Sequence, residues 1–329
     1  YFSLAYMEEK YGYDAQILEF PEWVEPYTWL LPSVSFRRAR DYRYQQEARM
    51  GYDGPLAGPL ADYDDPSRIF SLIYGKGVRV MESLREKIGD EAFLRVFKQA
   101  FERYRFRNWT GKDFIELCEQ ESGQDLTSFV EQWVFSGGHC DYGIRVRGKE
   151  ATLTRHGNVI EPLEARVVFS DGSREELQWD GQEKERVFSF AREVTQAVVD
   201  PREKLFDLDR TNNIWPRPVS LSFVPLYVGL YDMPLFLPDD AYQIVVGPEI
   251  NRGIGVKASF QKPYEYVFYG GTDFRLGEDL WTSRAGVLKK NVLRSPVSVG
   301  AEVSRVKDLD TGREDLTGAK IYARRDFNV

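Results

Sequence analysis

Histidine is nearly absent from this sequence: His139 and His156 are the only two in 329 residues. No His-Glu-x-x-His occurs, and two isolated imidazoles without further ligands do not make a metal site. Cysteine is equally scarce. Cys118 and Cys140 could pair or stay free, and neither their number nor their spacing decides the redox compartment. No window approaches the ~18 continuous apolar residues of a membrane helix. Positive charge is in deficit too, since a formal net charge of −8 leaves no basic face for phosphate and argues against nucleic acid as a partner. What remains is ordinary globular material, 42% hydrophobic and 29% charged, long enough for two or three cores. Aromatics, at 14%, are abundant and fit a secreted or envelope protein.

The chain is organised around Ile73-Tyr74-Gly75-Lys76-Gly77, which opens a strongly amphipathic run. Val80, Met81, Leu84 and Ile88 fall three and four apart, pause at Gly89-Asp90, and resume with Phe93, Phe97 and Phe101. Glycines flanking Lys76 permit close backbone packing and leave Tyr74 just ahead of the helix, where its hydroxyl can be aimed into a cleft. Before it, residues 1–11 read as the middle of a helix ending at Gly12. A connector with Phe20, Pro21, Trp23, Pro26 and Pro32 follows, then a charged helix over 36–50 and a Gly/Pro-rich loop. After it, Thr110 with Asp113 forms a helix-start signal, and Asp125 precedes another helical face of Leu126, Phe129, Val130 and Trp133.

Read in order, Tyr74, Lys76 and Gly77, then Ile88-Gly89-Asp90 with Phe93, then Asp113-Phe114 and Ser122-Gly123, then Asp125-Leu126 and Gln132-Trp133 with Gly138, resemble the alanyl-aminopeptidase-like zinc metallopeptidases (gluzincins). The resemblance covers about residues 1–215. It implies release of N-terminal residues from peptides, with Tyr74 as the catalytic hydrogen-bond donor to the oxyanion of the tetrahedral intermediate. It also implies a zinc whose ligands are not in this chain. Residues 1–6 resemble the helix carrying the third zinc ligand, a glutamate that would lie before Tyr1. The chain is therefore expected to be a piece of a longer protein, without stoichiometric zinc or peptidase activity on its own.

From Tyr142 the period changes from helical to alternating. Strands are expected over 143–147, 151–154, 163–169, 175–179, 186–190 and 197–199, with Asp171-Gly172 as a tight hairpin turn; together they make a small β-sandwich over 141–212. A Pro-punctuated linker over 213–240 leads to antiparallel strands over 241–329. There Val256, Ala258 and Phe260 alternate with Lys257 and Ser259, and Val299, Ala301 and Val303 with Gly300 and Glu302. An aromatic run over 264–269 adds another strand. This alternation fits either the opening hairpins of an outer-membrane β-barrel or a soluble sheet packed on one face. The expected fold class is multidomain α + β, with a helical peptidase part over 1–140. The rival to the enzyme is a non-catalytic platform in the bacterial envelope, periplasmic or attached to the outer membrane.

Overall fold

In the computed structural model the helices over 77–88 and 111–122 stand where the sequence supplies both an apolar stripe and a stop. The structure describes residues 1–12, 15–16, 27, 34–59, 63, 66–250, 253–275, 277–311 and 314–325. The expected connector of Phe20, Pro21, Trp23, Pro26 and Pro32 lies outside the described residues. The chain divides into two compact units, each discontinuous in sequence: Tyr1–Tyr6 with Tyr52–Leu208, and Met7–Gly51 with Asp209–Val329.

In the first unit, α3 (Pro66–Phe70), a wide turn (Ser71–Lys76) and α4 (Gly77–Ile88) form one helical path, followed by α5 (Asp90–Tyr104), α6 (Gly111–Ser122) and α7 (Thr127–Trp133). Gly89 and Gly123 end α4 and α6 with φ of 83° and 69°, a left-handed backbone that side chains resist. Thr110 and Asp113 form the full reciprocal capping box on α6. Asp125 accepts the Thr127 N–H at 2.9 Å, at the start of α7. Val80, Leu84, Phe93, Val96, Leu117 and Phe129 are buried on the facing stripes.

The same unit carries six short strands: β1 (Tyr142–Arg147), β2 (Glu150–Arg155), β3 (Leu163–Phe169), β4 (Arg174–Trp179), β5 (Glu185–Ser189) and β6 (Val194–Val199). β2 pairs with β1 and β5, and β3 with β4 and β6, all antiparallel. The two sheets pack face to face, with Tyr142 edge-on to Trp179 at 5.6 Å and Leu153, Ala165, Val167 and Ala197 fully covered. Trp133 of α7 donates its indole N–H to Glu161 at 2.7 Å, tying the helices to this sandwich.

The second unit contains α1 (Phe2–Tyr11) from Met7 onward and α2 (Phe36–Arg49). Arg37 of α2 makes a two-pronged bond to Glu8 of α1, at 2.7 and 3.0 Å. It also holds the short strand β7 (Ile214–Trp215) and a sheet of seven strands. These are β8 (Val219–Phe223), β9 (Tyr242–Ile250), β10 (Ile254–Lys262), β11 (Tyr266–Arg275), β12 (Leu280–Lys289), β13 (Val297–Asp308) and β14 (Glu314–Arg325). The strands neighbour one another in chain order; β8 runs parallel to β9 and the rest are antiparallel. Among the described residues the sheet is open, with β8 and β14 at its edges, and no closed barrel forms. Val219–Phe223, in the stretch expected to be a linker, is thus a strand. The aromatic strand begins at Tyr266 instead of Tyr264, which turns with φ 63° and is buried with the Arg49 guanidinium 4.3 Å over its ring.

Beside buried Val245, Val267 and Leu288, the covered face of this sheet carries many polar side chains, and its exposed face is largely apolar. Gln243, Ser259, Gln261, Asp273 and Ser298 are buried, while Ile254, Val256, Phe268, Trp281 and Ile321 are exposed. The polar face is knit together by Tyr227 donating to Asp232 at 2.6 Å, Lys257 paired with Asp232 at 2.7 Å, and Arg284 paired with Glu249. A cavity of about 770 Å³ lies along that face, lined by Arg43, Glu249, Lys257, Tyr269, Arg284 and Glu302. No helix of the described residues is long and apolar enough to cross a membrane.

Candidate active site around Tyr74

The turn Ser71–Lys76 is wider than an α-helical turn. The Gly77 N–H reaches back five residues to the Leu72 carbonyl, so Tyr74 lies inside a π-turn and not ahead of a helix as its glycines implied. Two positions apart on this helical path, Tyr74 and Lys76 point to nearly opposite sides. Lys76 is driven inward and is completely buried; Tyr74 remains 56% exposed.

Lys76 is the anchor. Its Nζ lies 3.0 Å from Asp53 Oδ1, 3.0 Å from the Gly54 carbonyl and 3.4 Å from the Ser136 carbonyl. Burial lowers its proton affinity below the ordinary lysine value, opposed by the charge and hydrogen bond of Asp53. Asp53 Oδ1 also accepts the Gly54 N–H at 2.9 Å. Gly137 passes so close to the Asp53 carbonyl that a Cβ would sit 3.1 Å from it. One cation therefore joins the π-turn, the loop at 53–54 and the end of the α7 region. Nothing in the sequence pairs Lys76 with an acid 23 positions away; the signal was a charged residue between two glycines in an apolar run.

Tyr74 packs against Phe70 with ring centroids 4.5 Å apart and planes tilted by 32°, and its hydroxyl makes no hydrogen bond among the described residues. It lines an open, mainly apolar cleft of about 970 Å³ together with Tyr1, Ile73, Met81, Phe114 and Phe135. Tyr1, from the opening segment, is fixed on the cleft wall by the Arg85 guanidinium, which donates to its hydroxyl at 2.8 Å, and by edge-on packing against Phe93. A neutral phenol at the rim of such a cleft can donate to an oxygen that gains negative charge.

The remaining candidates do not join it. His156 is exposed on the sandwich, and His139 offers its backbone N–H to Asn158 at 2.8 Å. Cys118 and Cys140 are both buried and free; burial pushes the Cys118 thiol up to about 12 and Cys140 higher than its ordinary value. Among the described residues, no group of three or more His, Cys, Asp or Glu side chains could hold a metal ion, so these residues do not fit a zinc site.

Residues 22–133, which include Tyr74 and Lys76, match the Peptidase family M1 domain. This stretch is similar to the M1 peptidase family. Aminopeptidase N of Lactococcus lactis subsp. lactis is 36% identical over 69 residues, 21% of this chain and 8% of that protein. Aminopeptidase N of Streptomyces lividans is 26% identical over 114 residues, covering 34% of this chain and 13% of that protein. The chain thus spans only a small part of the length of these curated relatives. A crystal structure of Legionella pneumophila aminopeptidase A in complex with aspartic acid aligns with 57% of this chain and 28% of that one, at 17% identity and a TM-score of 0.33, too low to speak to the fold.

Proposed function

We propose that this M1 region supplies the oxyanion-binding tyrosine of a zinc-dependent aminopeptidase that releases N-terminal residues from peptides, the zinc ligands lying outside these residues. The supporting observation is the Tyr74 phenol: exposed, without a hydrogen-bond partner among the described residues, and set on a cleft able to take an apolar chain end. A donor fixed in advance stabilises the charge that develops on the carbonyl oxygen more than it stabilises the ground state. Phe70 holds the ring, and Lys76, engaged beneath, holds the turn. In the complete protein, Tyr74→Phe should lower kcat by about 10²–10³ with KM nearly unchanged. An unaltered kcat would remove Tyr74 from the mechanism.

A second proposal concerns the β-rich unit. We propose that it attaches the protein to a bacterial outer membrane, because its large sheet shows water an apolar face and covers a charged one. The complete protein should then stay with the membrane fraction through a carbonate wash. Full release into the supernatant overturns the attachment.

A further inference from the structure

The strand register arranges the outward face of the seven-stranded sheet in rows. One complete row is Phe223, Val246, Ala258, Gly270, Ala285, Val303 and Ala319, one residue from each strand and none of them polar. The neighbouring row, from Leu221 through Phe260 and Phe268 to Ile321, is equally apolar. Aromatic groups bound these rows. At one end Tyr242 and Tyr266, one row further out, pack against Phe260 and Phe268 with centroids 5.4 to 6.4 Å apart. At the other end Phe274 faces Trp281 across β11 and β12.

Tyr266 and Phe274 stand eight residues apart on one strand. At ~3.3 Å per residue that is roughly 26 Å of strand. With the ~40° tilt of membrane-barrel strands it is about 20 Å of depth, the scale of a thin hydrocarbon layer between aromatic belts. Charge follows the same division. Lys289 is exposed at the level of Tyr266, where it also pairs with Glu265 at 3.2 Å; Lys307 is exposed opposite Trp281, and Arg305 lies one row further in, level with Thr272 and Ser283. These cations complement the phosphates of lipid headgroups, and the two central rows carry no charge at all.

We infer that this face is a membrane-spanning band in which the two apolar rows contact lipid hydrocarbon and the aromatic ends mark the two headgroup zones. The inference rests on the attachment proposed above and adds its depth and its lipid-facing residues. Hydrocarbon tolerates no unpaired ladder, so the embedded form pairs the free sheet edges with further strands. The opposite face, with Lys257, Asp273, Arg284 and Glu302, looks into the polar cavity and stays hydrated.

The test places single spin labels through Ala258→Cys and Val303→Cys in the middle row, and Trp281→Cys and Lys307→Cys at the rim. The complete protein is reconstituted in phosphatidylethanolamine–phosphatidylglycerol vesicles; Cys118 and Cys140 are buried and escape labelling. Collisions with oxygen, which concentrates in hydrocarbon, and with a water-soluble nickel chelate report depth. The oxygen-to-nickel ratio should be several-fold higher at 258 and 303 than at 281 and 307. Equal ratios at all four, with nickel excluded, would overturn the assigned depth and leave attachment standing. Free access of nickel at all four would overturn both. Labels shielded from oxygen and nickel alike would show protein covering the face, and the inference would fail.

Discussion

On β3 of the sandwich, Leu163, Ala165 and Val167 are covered, and Glu164 and Arg166 are half-exposed. On β10 of the large sheet Ser259 and Gln261 are covered, and Ile254, Val256 and Phe260 are exposed. Both strands alternate with the same period, so alternation establishes a two-faced strand and says nothing about which face meets water. The deciding partner is elsewhere in the chain. β3 meets a second apolar sheet, whereas the large sheet shares its unit with α2, whose Asp41, Gln45 and Glu47 are themselves buried. The covered face there mixes polar groups with a small apolar cluster of Val224, Tyr227, Tyr231, Leu237 and Val245, and a largely apolar face is left outside.

The contrast is sharpest where charge is buried. Replacing Lys76 by Met leaves Asp53 in a dry site without its cation and should cost about 3–5 kcal/mol in urea unfolding. Arg284→Met strands Glu249 and Asp273 beside a roomy cavity where water can replace the guanidinium, and should cost about 1–3 kcal/mol. Equal losses would erase the distinction between a dry and a wet interior. Truncating apolar side chains gives the reverse test. Leu153→Ala, in the sandwich core, should cost about 2–5 kcal/mol. Val303→Ala, on the outward face, should stay within about 0.5 kcal/mol in detergent. A large loss at Val303 would mean that this face is a packed core after all.

Acid should separate the units by a smaller margin. Burial raises the Glu161 carboxyl above its ordinary 4.5, opposed by the Trp133 hydrogen bond and by Lys87. A raised carboxyl binds its proton more tightly when folded, so the first unit gains stability as pH falls from neutrality towards 4.5. In the second unit burial works to raise Asp209, but Lys262 and Arg49 outweigh it and hold the group below 3.8. Its contribution is complete above that value and is lost only as pH falls further. Urea midpoints followed between pH 7 and 5 should rise for the sandwich transition and lose that rise in Glu161→Gln. A flat profile in the parent protein would refute the assignment.

Much of the helical region was legible because its punctuation is local. Gly12, Gly89 and Gly123 each adopt the left-handed backbone their position requires, and Thr110 with Asp113 closes a capping box within four residues. The sandwich strands were legible for the same reason, since Asp171-Gly172 and strict alternation need no distant partner. The site was legible only in part. Tyr74 stood out by its motif, but the π-turn depends on Lys76 reaching Asp53 and two carbonyls, contacts that no short window contains. Val219–Phe223 was hidden by the prolines around it, because its pairing runs parallel to a strand some twenty residues onward.

The wide turn also behaves as a phase shift. Each helical residue advances the direction of the next by ~100°, so one residue more or fewer re-aims everything downstream. Deleting a single residue between Leu72 and Lys76 would make that stretch a regular helix, and the fully buried ammonium and the rim phenol could no longer both keep their present directions. A length change of one, conservative by any count of composition, would be harsher here than most substitutions.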